Sequence, residues 1–161
     1  ESINISELLS SEFLILDNFS LSSKKGIKTV EYSLQIKDKV RVCFGLSDIS
    51  LIQENYENLK KVFLNRIDIL YGNENEIIKL QELISNPAMN TLVSKGSKGA
   101  TYNQMNIEAS KIDVINSNGA GDALIGTFLS YADLLEDRLA LSKAVSYATK
   151  VCMINGPRLL T

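Results

Sequence analysis

The stretch Asn116-Ser117-Asn118-Gly119-Ala120-Gly121-Asp122-Ala123 joins a short apolar segment to an apolar segment with helical spacing. Glycines on both sides of one small residue allow a ligand to approach the backbone closely. The first amides of the helix that follows have no partner within the helix, and the helix dipole places positive charge there. Such a loop suits a phosphate group, and Asp122 in the first turn is placed to accept a proton from an attacking hydroxyl. The alternative is a glycine turn followed by a carboxylate that only stabilises the start of a helix.

Short apolar runs alternate with longer amphipathic segments along the chain on both sides of this loop. The apolar runs predict strands at 13–16, 40–44, 67–71 and 91–94, with a further short strand, or the end of one, at 114–115. The amphipathic segments predict helices at 24–37, 49–63, 74–84, 120–135 and 138–154, and residues 100–107 are able to pair as short strands around Asn103-Gln104. Alternation of this kind predicts an α/β fold, with a mostly parallel sheet and helices on both of its faces. Ligands bind such sheets at the carboxyl ends of the strands, where the loops collect.

Two further polar motifs come directly after predicted strands. In Gly72-Asn73-Glu74-Asn75-Glu76, the Glu76 carboxylate is able to hold the water shell of Mg²⁺, and Asn73 is able to orient that water. The same spacing also fits a capping box, with Asn73 as the N-cap residue and Glu76 three residues later. Ser94-Lys95-Gly96-Ser97-Lys98-Gly99 is either a turn that needs two glycines or a turn whose amides and Ser94 hydroxyl face phosphates.

The composition excludes several classes of function. The 161 residues include 0 histidines, which rules out serine–histidine–aspartate and cysteine–histidine catalysis, the HExxH zinc motif and histidine bases. The formal net charge is -2, with 17 basic and 19 acidic residues, so we expect no nucleic-acid partner. No apolar run has membrane-spanning length, and we expect no membrane partner and a cytoplasmic location. Cys43 and Cys152 both lie in apolar segments, which favours two buried thiols over a disulfide.

Residues 116–129, NSNGAGDALIGTFL, resemble the carboxyl-terminal signature of the PfkB, or ribokinase-like, family of carbohydrate and nucleoside kinases. Three more stretches are similar to motifs of that family in the same order: 73–76 to its Asn-x-x-Glu motif, 94–100 to its nucleotide-binding turn, and 154–158 to its closing segment. Gly45-Leu46-Ser47-Asp48 and the Gly-Pro-Arg ending lean towards the branch that resembles adenosine kinase. The resemblance covers nearly the whole chain, and it implies a three-layer ribokinase-like fold that uses ATP and Mg²⁺.

The resemblance implies a role for each motif in moving a phosphoryl group from ATP to a primary hydroxyl of a sugar or nucleoside. Asp122 would be the catalytic base, and Glu76 would support the metal. The amides of the anion hole would be those of Gly119, Ala120 and Gly121. The remaining cofactor-binding residues that the resemblance implies are Asn73, Ser94, Gly96, Ser97 and Gly99.

The chain departs from the family pattern in two ways. Asn116 replaces the aspartate that usually opens the signature, which argues against activation by potassium. Family members are also much longer, and their substrate-binding strands and small β-sheet lid have no counterpart in residues 1–161. We therefore expect the chain to be the carboxyl-terminal, ATP-side part of a single ribokinase-like domain, incomplete on its amino-terminal side. Such a part would leave one sheet edge uncovered, which favours association. The protein partners that we expect are the missing amino-terminal half or a second copy in a homodimer.

Two alternatives to a kinase follow from the same residues. The first is a kinase-derived fold that binds or assembles without catalysis. Asn116 and the missing amino-terminal half favour it, and the retained Asp122, Asn73 and Glu76 oppose it. The second is a dinucleotide-binding unit. It is disfavoured because the glycines lie late in the chain, with no strand-ending acid about 20 residues beyond them.

Overall fold

The structure, a computed structural model, describes residues 10–35, 39–64, 67–85 and 90–156. The chain divides into two compact units, residues 1–91 and residues 92–161. The strands are β1 (Phe13–Asp17), β2 (Arg41–Gly45), β3 (Ile69–Asn73), β4 (Asn90–Ser94), β5 (Ala100–Tyr102) and β6 (Met105–Ile107). The helices are α1 (Lys24–Leu34), α2 (Ile49–Glu54), α3 (Tyr56–Phe63), α4 (Glu74–Leu83), α5 (Ala120–Tyr131) and α6 (Asp137–Val151), with 3-10 turns at Asn18–Ser22 and Gly96–Lys98.

The first unit is built on parallel strands with helices between them. Strand β2 pairs in parallel with β1 and with β3, and Gly45 is the partner of both Asp17 and Tyr71 in the register. Because the strands are parallel, the loops that begin at Leu46 and at Asn73 leave from the same end of this unit. The parallel βα arrangement predicted from the sequence is confirmed here.

The core of the first unit forms around β2. Val42, Cys43 and Phe44 are all 0% exposed, which explains why this strand reads as a continuous apolar run. Phe44 packs edge-on against Phe63 of α3, with ring centroids 5.4 Å apart. Burial raises the pKa of the Cys43 thiol to about 12, so this cysteine is a small core residue with a protonated thiol at neutral pH. Strand β1 pairs with β2 alone among the described strands, and Ile15 on it is 53% exposed.

The prediction of a single helix over 49–63 is wrong, because Asn55 separates α2 from α3. Asn55 is buried, and its side-chain amide donates to the backbone oxygen of Asn18 at 3.0 Å and to the side-chain oxygen of Asn18 at 3.1 Å. A third contact joins the same amide to the Ser22 hydroxyl at 3.3 Å. A buried amide must find partners, and here those partners lie more than 30 residues earlier in the chain, where helix periodicity gives no sign of them.

The second unit contains an antiparallel meander and two helices. Strand β5 pairs with β4 and with β6, which confirms the predicted pairing around Asn103-Gln104. Asn103 takes a left-handed backbone conformation, with φ 52°, as this tight turn requires. Parallel strands in the first unit and antiparallel strands in the second give the α/β chain a mixed set of strands.

The predicted short strand at 114–115 is wrong. Residues 108–119 form no helix or strand. The Ile115 N–H instead donates to the Cys152 carbonyl oxygen at 2.9 Å, just beyond the end of α6. Two apolar residues are too few to distinguish a strand from an extended loop by pattern alone.

Helices α5 and α6 pack against each other and against the meander. Ala140 and Ala144 of α6 are both 0% exposed, and such small side chains allow two helices to approach closely. Phe128 of α5 lies against Tyr102 of β5, with ring centroids 4.6 Å apart. Helix α5 is thereby anchored along its buried face, so the orientation of its first turn is set by core packing.

Candidate active site

Asn73 and Glu76 form a complete capping box at the start of α4. The Glu76 N–H donates to Asn73 Oδ1 at 3.0 Å, and the Asn73 N–H donates to Glu76 Oε2 at 2.9 Å. The Asn73 side-chain amide also donates to Glu76 Oε1 at 2.6 Å. Asn73 is exposed, whereas Glu76 is only 7% exposed. The capping interpretation is therefore confirmed. Each carboxylate oxygen has a second lone pair, so the same geometry leaves both able to accept a further hydrogen bond.

The charged form of Glu76 is disfavoured in the folded protein. Burial raises the pKa of the Glu76 carboxyl, and the Asn73 N–H opposes that rise while the negative charge of Asp48 adds to it. Asp48 is itself the N-cap of α2 and accepts the Ser50 N–H at 2.7 Å. A nearby cation would stabilise the charged form of this carboxylate, because a positive charge would offset both the burial and the negative charge of Asp48.

The free energy of unfolding should therefore depend on pH differently in the wild-type chain and in Glu76→Gln. The folded state binds the Glu76 proton more tightly than the unfolded state does, so wild-type stability falls relative to the variant as pH rises from the usual 4.5 through the raised pKa. Urea denaturation of both proteins between about pH 4 and about pH 7, without divalent metal, measures the difference. A wild-type chain that instead gains stability relative to Glu76→Gln over this range would show that the pKa is lowered.

The turn after β4 is held by three backbone hydrogen bonds between its own residues. The Lys95 N–H donates to the Gly99 carbonyl oxygen at 2.8 Å. The Lys98 N–H donates to the Lys95 carbonyl oxygen at 3.1 Å, and the Gly99 N–H to that of Gly96 at 3.0 Å. The N–H groups of Gly96 and Ser97 take part in none of these bonds, and both residues are exposed. Ser94, the last residue of β4, is half-buried. Of the amides in this turn, those of Gly96 and Ser97 are best placed to meet an anion.

The start of α5 is capped by a glycine instead of a polar side chain. Gly119 is the N-cap, with φ 78° and no side-chain capping bond. The Ala120 N–H donates to the Ser117 carbonyl oxygen at 3.2 Å. The N–H groups of Gly119, Gly121 and Asp122 have no hydrogen-bond partner among the described residues. Asp122 is exposed in the first turn of the helix. Unpaired amides, positive helix dipole and exposed carboxylate therefore lie within four consecutive residues.

Asn116 anchors the loop that leads to this helix. Its side-chain oxygen accepts the Asn118 N–H at 2.9 Å, and its own N–H donates to the Cys152 oxygen at 3.3 Å. An aspartate at this position would accept the same Asn118 bond. Asparagine in place of the aspartate that is usual in the family thus keeps the turn and removes one negative charge from the loop. The Cys152 contact leaves no signal in the sequence, because nothing local links residue 116 to the end of α6.

The predicted site residues fall in both units. Asn73 and Glu76 contact each other in the first, and Ser94, the 96–99 turn and Gly119–Asp122 belong to the second. Among the described residues, no group of three or more acidic or cysteine side chains is arranged to hold a metal ion. Mg²⁺ is commonly held by one or two carboxylates together with water and substrate phosphates, and Glu76 with Asn73 fits that donor set. A groove of about 210 Å³ between α1 and α3 includes none of the predicted site residues.

None of the helices in the described ranges is long and apolar enough to cross a membrane. The closing motif at 154–158 lies partly outside the described residues, which end at Gly156.

The model of the pfkB family of carbohydrate kinases matches residues 14–155, which is most of the chain. No curated protein sequence matches it. Known structures are similar over nearly all of its length. Adenosine kinase from Sinorhizobium meliloti has 19% identity and a TM-score of 0.87, with 99% of this chain and 54% of that one covered.

Two further similar structures contain nucleotide ligands. A candidate ribokinase II from E. coli, in complex with ATP and Mg²⁺, has 19% identity and a TM-score of 0.85, covering 96% of this chain and 56% of that one. Aminoimidazole riboside kinase from Salmonella enterica, complexed with its riboside and an ATP analogue, has 17% identity and a TM-score of 0.71, covering 89% and 57%. The chain therefore has the ribokinase-like α/β fold and spans just over half the length of these proteins.

Proposed function

Because the chain belongs to the pfkB family of carbohydrate kinases, we propose that the whole protein transfers the γ-phosphoryl group of ATP to a primary hydroxyl of a sugar or nucleoside. The observation that carries the proposal is the start of α5. There, a glycine cap with φ 78° leaves amides unpaired, and Asp122 stands exposed beside them. Phosphoryl transfer depends mainly on positioning and on stabilising charge, and this turn supplies both a base and an anion hole.

Asp122 acts as the base in this proposal. Its carboxylate accepts the proton of the acceptor hydroxyl as the new oxygen–phosphorus bond forms and the bond from the γ-phosphorus to the bridging oxygen breaks, with ADP leaving. The N–H groups of Gly119 and Gly121 donate to the oxygens of the transferring group. The N–H of Ala120 joins them by exchanging its 3.2 Å bond to Ser117 for one to the phosphoryl group.

The other motifs serve the nucleotide. Glu76 would hold Mg²⁺ through its bound water, and Asn73, which holds the Glu76 carboxylate in place, would orient that water. Mg²⁺, when bound, neutralises charge on the phosphates. The turn that contains Ser94, Gly96, Ser97 and Gly99 lines the nucleotide. Gly96 and Ser97 contribute N–H groups that make no hydrogen bond within the turn.

We assign the chain to the carboxyl-terminal, ATP-side part of a ribokinase-like domain, in keeping with the 54% to 57% of the similar structures that it spans. The segment that selects the acceptor then lies in the rest of the protein and meets the edge of β1. Gly45–Asp48, together with the similarity to an adenosine kinase, favours a nucleoside acceptor within the sugar and nucleoside class. We place the protein in the cytoplasm, where ATP is abundant.

An ADP-release assay on the intact protein, with ATP, Mg²⁺ and a panel of sugars and nucleosides, tests this function. We expect turnover with at least one acceptor, dependence on Mg²⁺, and none from residues 1–161 alone, because positioning of the acceptor is lost. ATP binding without ADP release across the panel would favour the alternative, a kinase-derived module that binds or assembles without catalysis.

A further inference from the structure

We propose that Gly72 is a positioning residue of the magnesium site: its missing side chain leaves the space into which the Glu76 carboxylate folds back over the end of β3. The inference rests on the proposed function, because only that function assigns Glu76 to the metal. It adds a residue outside the motif itself, one that the sequence pattern marks only as the end of a strand.

The space beside Gly72 is already filled. A Cβ atom added there would lie 2.9 Å from Glu76 Oε2, 3.1 Å from Leu46 Cδ1 and 3.4 Å from Glu76 Cβ. The first distance is shorter than real Cβ atoms show, and the second is tighter than most of their contacts. Gly72 lies in β3 and is not among the glycines with positive φ. Glycine is therefore required here by space and not by backbone conformation.

Neither neighbour can move aside without a consequence for the site. The Glu76 carboxylate receives the Asn73 N–H on one oxygen and the Asn73 side-chain amide on the other, and displacing it breaks one or both bonds. The other neighbour, Leu46, is 0% exposed in the core. A side chain at position 72 therefore pushes against the carboxylate, which is the more exposed of the two groups.

Gly45 provides a matched control. It ends β2 as Gly72 nearly ends β3, it is buried, and it is also absent from the positive-φ glycines. A Cβ atom added to Gly45 would come no closer than 3.8 Å to any neighbouring atom. Gly45→Ala thus makes the same chemical change in an adjacent parallel strand without touching Glu76.

The test measures Mg²⁺-dependent ATP binding by calorimetry on the intact protein and its variants. Gly72→Ala is expected to weaken this binding about tenfold, the lower end of what disturbed outer-shell groups cost, and Gly45→Ala to leave it within about twofold. In a Glu76→Gln background the further effect of Gly72→Ala should shrink to less than about twofold, because the group it acts through is already altered. A second readout without metal is amide exchange of Asn73, whose N–H bonds to Glu76 Oε2 and should exchange faster in Gly72→Ala.

Two results would overturn the inference: unchanged Mg²⁺-dependent binding and Asn73 exchange in Gly72→Ala, or an equal loss of binding with Glu76 and with Gln at that position. Unchanged binding in Glu76→Gln alone would contradict the metal role in the proposed function, and Asn73 exchange would still decide whether Gly72 holds the carboxylate in place. Should Gly72→Ala prove too unstable, Gly72→Ala/Leu46→Val removes the Leu46 Cδ1 contact and keeps the overlap with Glu76.

Discussion

Asp122→Asn is expected to lower kcat of the intact protein by roughly a hundredfold to ten-thousandfold, the range that general bases contribute. Asparagine has nearly the same size and shape but cannot accept the hydroxyl proton. Because Asp122 is exposed in the first turn of α5, the change should cost the fold no more than about 1 kcal/mol. The KM for ATP should change little, since the amides of Gly119 and Gly121 remain.

Asp137→Asn is the matched control for that variant. Asp137 is likewise an exposed aspartate in the first turn of a helix, α6, so its replacement removes the same charge from the first turn of a helix. Its kcat should stay within about twofold of wild type, as expected for a surface change away from the site. Equal activity in both variants, measured by ADP release at saturating ATP and acceptor, would remove Asp122 from the role of base.

Gly99→Ala should cost the second unit roughly 3 kcal/mol or more of unfolding free energy. Gly99 has φ 94°, outside the range that alanine adopts without strain, and a Cβ atom there would overlap the Ile107 carbonyl oxygen. The next nearest atoms, Ala109 N at 2.7 Å and Glu108 C at 2.9 Å, also belong to the backbone, so no flexible side chain is able to move aside. Chemical denaturation monitored in this unit measures the loss.

Gly96→Ala separates steric overlap from positive φ. Gly96 has φ 57° in the same turn, but a Cβ atom there would meet nothing within 4 Å. The expected cost is only the left-handed conformation, about 1 kcal/mol. A Gly99 variant no less stable than the Gly96 variant would show that residues 107–109 are able to move away from the turn.

The sequence allowed prediction of features that depend on neighbouring residues. The capping box of Asn73 and Glu76 was predictable because its bonds span three residues, and the hairpin around Asn103 because its strands are adjacent in the chain. Strand β2 was predictable because burial on both faces demands an unbroken apolar run. Composition added a firm exclusion, since a chain with 0 histidines cannot use a histidine base.

Features set by distant contacts were not predictable. The break between α2 and α3 depends on the amide of Asn55 meeting Asn18, and the loop before α5 depends on the carbonyl of Cys152. The closeness of Gly72 to Glu76 appears only when the carboxylate folds back over the strand. In each case the partner is fixed by tertiary packing, which leaves no periodic signal in the sequence.

Phosphorus NMR of the intact protein with ATP, Mg²⁺ and the panel of acceptors follows the proposed phosphoryl transfer itself. The kinase function predicts that the γ-phosphate signal is replaced by ADP and a phosphomonoester on one acceptor, and that Asp122→Asn suppresses both products. ATP that stays intact with every acceptor, or that yields only ADP and inorganic phosphate, would contradict transfer to a sugar or nucleoside.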